Sequence, residues 1–254
     1  VEKNADGTAN KLELKIFNLN DDSKKFLSRQ GLQITVSAGY EATSGTIFKG
    51  ITETPLHYRD GVDRITEIKA QDGAFMFRNI RVKKAFKEGV TKEKIALELL
   101  AALVERPINS AGLTIVQGLQ IGTQSIPSAA DKKTKQSKVV MGPVWPELQQ
   151  LAKGLNLKLF VVDQTVYLQS PTDSINPSPI VVSPSSGLVE IPEQLDDKRG
   201  YRFKSLLRHE LNPATQIIVE TATINRGRFN IDVVKHDFES RGNNWYTEFE
   251  ARPQ

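Results

Sequence analysis

The chain has 254 residues, 39% of them apolar and 25% charged, enough for one large domain or two to three small ones and far from the composition of a disordered segment. Thirty-four basic against thirty acidic residues leave a formal charge of +4 spread thinly along the chain, which by itself gives no nucleic-acid footprint. The absence of cysteine removes disulfides, thiolate nucleophiles, iron–sulfur clusters and cysteine zinc sites together, so stability has to come from packing or assembly.

No window approaches the roughly 20 consecutive apolar residues of a membrane helix, and Val1 to Asn10 are polar where a signal peptide would be apolar. The expectation is a soluble, non-secreted chain without membrane insertion. Lack of cysteine also suits a particle that survives outside a cell.

From Lys11 the dominant period is two. Leu12, Leu14 and Ile16 alternate with Glu13 and Lys15, and Leu32, Ile34, Val36, Ala38 and Tyr40 alternate with polar residues and Gly39, the pattern of half-buried strands. Between these two runs, Asp21-Asp22-Ser23 followed by Lys24-Lys25-Phe26-Leu27 reads as a capped helical turn. Further strands are expected at Thr46 to Thr52 and Ile65 to Ala70, the latter after an Asp60-Gly61 turn. The period changes at Thr91, which can cap a helix with Ile95, Ala96, Leu99, Leu100 and Leu103 on one face, ending before Pro107. A polar stretch from Ser125 to Lys138, carrying Lys132, Lys133, Lys135 and Lys138 against Asp131, reads as a solvated loop. A shorter helix is expected from Pro146 through Lys153, with Leu148, Leu151 and Ala152 on one face and Gly154 as its stop. Strands at Leu157 to Val162 and Thr165 to Gln169 follow, joined by Asp163-Gln164.

Four prolines (171, 177, 179 and 184) and five serines between Ser174 and Ser186 mark a boundary around Ile180-Val181-Val182. Beyond Gly187 the period returns to two, through Tyr201/Phe203, Ile217/Val219/Thr221, Phe229/Ile231/Val233 and Trp245/Thr247/Phe249. The two β regions also match in order. Gly45, Phe48, His57, Gly61 and Thr66-Glu67-Ile68-Lys69-Ala70 align with Gly227, Phe229, His236, Gly242 and Thr247-Glu248-Phe249-Glu250-Ala251, which suggests an internal duplication. The organisation read from this is mainly β, α+β overall: antiparallel barrel-like modules at residues 1–78 and 176–254 flanking a small α+β unit at residues 79–175.

Chemistry-bearing patterns are weak. His209-Glu210-Leu211-Asn212-Pro213 opens like a zinc-protease helix, but Pro213 stands where the second imidazole is needed, and the segment reads as a turn. Gly45 and Gly50 have the spacing of a phosphate loop, yet Ile51 replaces the required lysine and no helical pattern follows. No serine elbow or dinucleotide fingerprint occurs. Adjacent acids at Asp21-Asp22 and Asp196-Asp197 read as solvated or capping carboxylates rather than a glycosidase pair. His57 and His236 read as packing or hydrogen-bonding residues. Phe238, Trp245, Tyr246 and Phe249 could stack on single-stranded nucleic acid, but their alternation with Thr247, Glu248 and Glu250 fits a sheet with one buried face. No catalytic, cofactor-binding or metal-binding residue is assigned, no cofactor is expected, and the chain is not expected to be an enzyme.

Several segments together resemble a known family. Gly39-Tyr40-Glu41, Gly45 and Ile47 to Ile51, the helical Leu148 to Leu155, and above all Ser186-Gly187-Leu188 through Pro192, Tyr201 to Leu207, Glu210 to Pro213, Gly227-Arg228-Phe229, Val233 to His236 and Gly242 to Thr247 are similar to the bacteriophage tail baseplate hub proteins. Arg208-His209, between Leu207 and Glu210, departs from that pattern. The resemblance implies two modules related to the tail-tube protein in each chain and a homotrimer at the distal end of the tail, so that three chains present six modules. It implies as partners the tail tube or distal tail protein, the central spike, the tape-measure protein and other baseplate proteins. It also implies passage of DNA without sequence-specific binding, a place in the virion and assembly in the host cytoplasm. The nearest alternative is the hub of a phage-derived injection particle; alternatives from other classes are a tail-associated peptidoglycan hydrolase and an OB-type single-strand binder.

Overall fold

The computed structural model describes the chain except residues 30, 42, 74–76, 79, 105–108, 111–112, 115–119, 125–132, 198 and 225, with side chains described outside residues 104–132. The first β region contains β1 (Glu2–Asn4), β2 (Asn10–Phe17), α1 (Asp21–Leu27), β3 (Gln33–Ala38), β4 (Gly45–Thr52), β5 (Leu56–Asp60) and β6 (Asp63–Asp72). The middle contains β7 (Arg81–Phe86), α2 (Lys92–Val104), β8 (Asn109–Ser110), β9 (Leu113–Thr114), β10 (Gln120–Gln124), β11 (Lys138–Pro143), α3 (Val144–Leu155), β12 (Lys158–Val162) and β13 (Thr165–Gln169). The last part contains β14 (Ile180–Val182), a 3-10 turn (Pro184–Ser186), β15 (Glu193–Gln194), β16 (Tyr201–Leu206), β17 (Gln216–Val219), β18 (Gly227–Phe238) and β19 (Trp245–Pro253).

The two β regions share one twelve-stranded sheet, ordered β15-β16-β19-β18-β1-β2-β6-β4-β3, with β17 and β14 branching from β18 and β5 from β6. This path is open among the described residues, so the two closed barrels expected from sequence are not formed. The reason lies in the hydrogen bonding. Strand β1 spends its edge on β18 of the other region instead of closing its own, and β15 pairs for only two residues.

Within the shared sheet the two ends repeat one another strand by strand. Lys15 and Leu56 flank Glu67 across β2-β6-β5, as Lys204 and Lys235 flank Glu248 across β16-β19-β18. His57 faces Thr66 as His236 faces Thr247, and in both pairs the imidazole Nδ1 shares a 3.0 Å hydrogen bond with the threonine Oγ1. At the other end Gln33, Ile51 and Gln71 stand in line, as do Gln216, Asn230 and Arg252. Strands β4 and β5 together are therefore the counterpart of the unbroken β18. The spacing from Ile51 to His57 equals that from Asn230 to His236, which corrects the sequence alignment: Phe48 stands at the place of Gly227, and Gly50 at that of Phe229. The exchange has a packing logic. A Cβ on Gly50 would meet the Phe48 ring at 2.6 Å, and one on Gly227 would meet the Phe229 ring at 2.6 Å, so each region fills the same space with a phenylalanine rooted two residues apart.

The middle unit packs α2 and α3 against its strands. The buried face of α2 is Ile95, Ala96, Leu99, Leu100 and Leu103, as its periodicity demands, and Thr91 Oγ1 accepts from Lys94 N at 3.2 Å to cap it. It ends at Val104; Pro107 lies outside the described residues. Helix α3 buries Trp145, Leu148, Leu151, Ala152 and Leu155 and runs past Gly154 to Asn156, whose left-handed backbone (φ 57°) lets its N–H reach the carbonyls of Ala152 and Lys153. Asparagine tolerates that conformation, which is why it ends the helix in place of the glycine expected. Helix α1 is capped by Asn20, whose Oδ1 accepts from Ser23 N at 2.8 Å, one residue ahead of the acids expected to cap it. Asp163 and Gln164, at φ 51° and 66°, make the tight reversal between β12 and β13, and β10 adds to β13 in parallel. Of the lysine-rich stretch, Lys133 bridges to Thr91 and Lys138 opens β11, while residues 125–132, including Asp131 and Lys132, lie outside the described residues.

Candidate assembly surfaces and the junction between the units

The β1–β2 hairpin touches all three parts of the molecule. On one side β1 pairs with β18 and on the other β2 pairs with β6. Its turn reaches the middle unit, where Gly7 O accepts from Trp145 Nε1 at 3.2 Å and from Gln149 Nε2 at 3.3 Å. Gly7 sits at φ +82° and a Cβ there would meet the Leu159 carbonyl oxygen at 2.7 Å, so glycine meets both a backbone and a space requirement.

Around this hairpin lies a buried polar junction. Lys3, fully buried, donates to Asp163 Oδ2 at 2.8 Å and to Asn212 Oδ1 at 2.9 Å, tying the middle reversal to the turn before β17. Asp163 Oδ1 accepts from Lys49 N at 3.0 Å, and Asp72 Oδ1 accepts from Gln164 N at 3.1 Å. Asn10 donates to Val161 O at 2.7 Å, and Gln33 donates to Gln164 Oε1 at 2.8 Å. Burial in this cluster, reinforced by the Asp163 charge, pushes the Asp72 carboxyl up to about 7 despite Lys3, the Gln164 N–H and Asn10. Burial likewise pulls Lys3 below the usual lysine range against the attraction of Asp163. His236 is held down at about 3, first by burial and then by the Lys3 charge, and its Nε2 is buried without a protein partner. The imidazole is neutral. An arrangement of this kind fixes the three units in one orientation, because Lys3, Asn10, Gln33 and Asp72 of the first β region each meet a partner from the middle unit, and Lys3 also one from the last part.

A smaller apolar cluster also joins the two β regions: Ala38, Ile47 and Leu207, with Val36, Phe238 and Trp245 half-buried against it. His209 lies across this seam, its Nδ1 2.9 Å from Thr43 O. A Cβ on Gly45 would overlap the His209 ring, so this glycine serves the seam rather than a phosphate loop, and the segment is strand β4. Glu210 pairs with Arg208, Nε to Oε1 at 2.8 Å, and the segment is a turn as its proline implies. Asp21 and Asp22 occupy the first turn of α1. Asp197 accepts from Arg252 Nη1 at 2.8 Å, while Asp196 is exposed at the β15–β16 turn. Among the described residues no group of three or more His, Cys, Asp or Glu could hold a metal ion.

Of the aromatics considered for base stacking, Phe249 is in the core, stacked on Phe203 at 5.1 Å, and Trp245 packs on Phe238 at 6.0 Å. The solvent side of β19 and its neighbour β16 carries charge of both signs, Arg202 with Glu250 (2.8 Å) and Lys204 with Glu190 (2.9 Å), as does β6 in the other β region, Lys69 with Glu67 (3.4 Å). A mixed-sign face of this kind is not a phosphate track.

What remains open is the sheet margin. Strand β15 ends the hydrogen-bonded path, with Ile191 75% exposed beside it, and among the described residues β5 is paired only to β6, with Leu56 59% exposed. Unpaired edges with exposed apolar side chains are the features through which β proteins associate. Which strands lie at the margin follows from the order of the whole sheet, which the β1–β18 pairing between distant segments joins into one.

No family model and no curated protein matches this sequence. The fold, however, has close counterparts among solved structures. The 43 kDa tail protein of prophage MuSo2 from Shewanella oneidensis is 9% identical and superposes with a TM-score of 0.64, covering 99% of this chain and 92% of its own. A tail protein from Neisseria meningitidis MC58 is 11% identical with a TM-score of 0.64, over 100% of this chain and 90% of its own. An E. coli component of the type VI secretion system, structurally similar to the T4 bacteriophage tail proteins gp27 and gp5, is 11% identical with a TM-score of 0.66, over 100% of this chain and 72% of its own. At these identities the likeness is one of fold: a sheet-rich, mainly β fold with some helix, shared with phage-tail and secretion-system proteins.

Proposed function

We propose that this chain is a structural component of a tail or tail-like particle, a trimeric hub that adapts a sixfold tube to a threefold spike and lines the conduit for DNA and tape-measure protein. The observation that carries this reading is the repetition of one strand order and register at the two ends of the chain. A chain with two equivalent modules lets three copies present six similar faces to a sixfold neighbour, and repeating one heterologous contact closes a ring. Its partners are then the tail tube or distal tail protein above, the spike below, the tape-measure protein within and other baseplate proteins around it, all in the virion. The buried junction suits a rigid adaptor, and the chain carries no catalysis of its own.

The hub of an injection particle is the nearest alternative, and the likeness to a secretion-system component favours it as much as the prophage tail proteins favour a virus. Both versions require the same assembly. Light scattering on the purified chain, alone and with its tube protein, is expected to give three copies, and electron-microscopic class averages are expected to show six similar modules around a bore. A monomer that never trimerises, or a ring of six chains, overturns the hub reading. Clearing of peptidoglycan in a zymogram overturns the non-enzymatic part.

A further inference from the structure

The open strand ends are complementary, and the chain itself shows how they fit. Lys11 faces Gln71 and Glu2 faces Lys11, so β1 is the outer arm of a hairpin. In the repeat, Gly200 occupies the place of Lys11: its neighbour Tyr201 faces Ala251, and Leu195 N donates to Gly200 O at 3.0 Å. The arm containing β15 is therefore the counterpart of β1, with Leu195 in the place of Glu2. Within the chain the β1 arm lies antiparallel on the outer edge of β18, pairing Glu2 with Lys235 and Asn4 with Val233, and His236 N donates to Val1 O at 2.9 Å. The counterpart of that edge is β5, where Leu56 stands for Lys235 and His57 for His236. One arm and one edge are thus joined inside the chain. Among the described residues the equivalent arm and the equivalent edge are both without a strand partner on their outer sides, and each has an exposed apolar residue beside it, Ile191 and Leu56.

We infer that the β15 arm of one copy adds antiparallel to the outer edge of β5 in a second copy, with Leu195 opposite Leu56, repeating between chains the contact that β1 and β18 make within one. This rests on the hub reading and specifies its interface: the occupant of the β5 edge is another copy of this chain. Repeating one heterologous contact alternately within and between chains is what would close three chains into a six-module ring. The pairing is main-chain strand addition, with the apolar Leu195–Leu56 pair replacing the charged Glu2–Lys235 pair of the internal contact. Pro55 stands where Val234 does and has no N–H, so this contact has one rung fewer than its internal counterpart. A proline on a free edge also restrains promiscuous pairing before the correct arm arrives.

The test uses the full chain, which has no native cysteine. Glu2 and Lys235 lie between the hydrogen-bonded rungs marked by Val1 with His236 and Ala5 with Asp232, the closer kind of antiparallel pair, with Cα atoms about 4.5 Å apart, within the range a disulfide spans. The double variant L56C/L195C, oxidised under assembling conditions, is expected to give covalent dimers and trimers on a non-reducing gel and nothing larger. Each single variant is expected to give none. A trimer by light scattering that does not cross-link overturns the inference and leaves the hub reading standing. A cross-linked ladder running beyond three keeps the arm–edge contact and overturns threefold closure. A chain that stays monomeric at all concentrations and with its tube protein overturns both, and dimers from either single variant overturn the proposed pairing.

Discussion

Lys3 shows what a single side chain does here. A lysine without solvent exposure survives because Asp163 and Asn212 meet it at 2.8 and 2.9 Å, and removing its charge strands the Asp163 carboxylate among buried groups. Lys3→Met keeps the volume and is expected to cost about 3–5 kcal/mol, read from the urea midpoint at unchanged slope. Asp72 and His236 act on pH in opposite directions. The folded Asp72 carboxyl at about 7 holds a proton that the unfolded chain releases near 3.8, so its contribution is present below that value and is lost as pH rises through 7. His236 at about 3 refuses a proton that the unfolded chain takes near 6.5, so its contribution is present above 6.5 and is lost as pH falls towards 3. Over about pH 4 to 6.5 the two offset each other. Asp72→Asn removes one side, and its melting temperature is expected to fall more steeply than the parent's between pH 6.5 and 4.5; parallel profiles would show that Asp72 is not protonated in the folded state.

At the scale of elements, the Phe–Gly exchange between the two β regions is the most direct check on the register. Phe48→Gly empties a buried ring position and is expected to cost at least the 3–5 kcal/mol of a phenylalanine truncation, while Gly50→Phe alone overpacks the same space. The double variant F48G/G50F reproduces the arrangement of Gly227 and Phe229, and denaturation is expected to show it well above the sum of the single losses; simple additivity would refute the correspondence. The β1–β2 turn gives a second check. Gly7→Ala forces a side chain against Leu159 O at positive φ and is expected to destabilise by about 1–3 kcal/mol, with a blue-shifted Trp145 fluorescence lost as the turn leaves the indole.

For the whole molecule, assembly is the property at stake. Light scattering and cross-linking address it, and the open ends of the sheet are where it is expected to act. The amino-acid sequence by itself determined most of the elements: period two placed the strands, the spacing of Ile95, Leu99 and Leu103 placed α2, and His57/His236 with the two Thr-Glu strands exposed the repeat. These signals are local, because a strand or helix writes its buried face into residues two, three or four apart. The phase of the repeat at Phe48 and Gly50 was not legible, since their swapped order only makes sense once cross-strand partners are known. Nor was the junction. Lys3, Asp72 and Asp163 are ordinary charged residues in sequence, and only the tertiary structure brings them together across 69 to 160 positions and buries Lys3 and Asp72. Whether the modules close or remain open was likewise decided by pairing between β1 and β18, a contact between the two ends of the chain that no local pattern encodes.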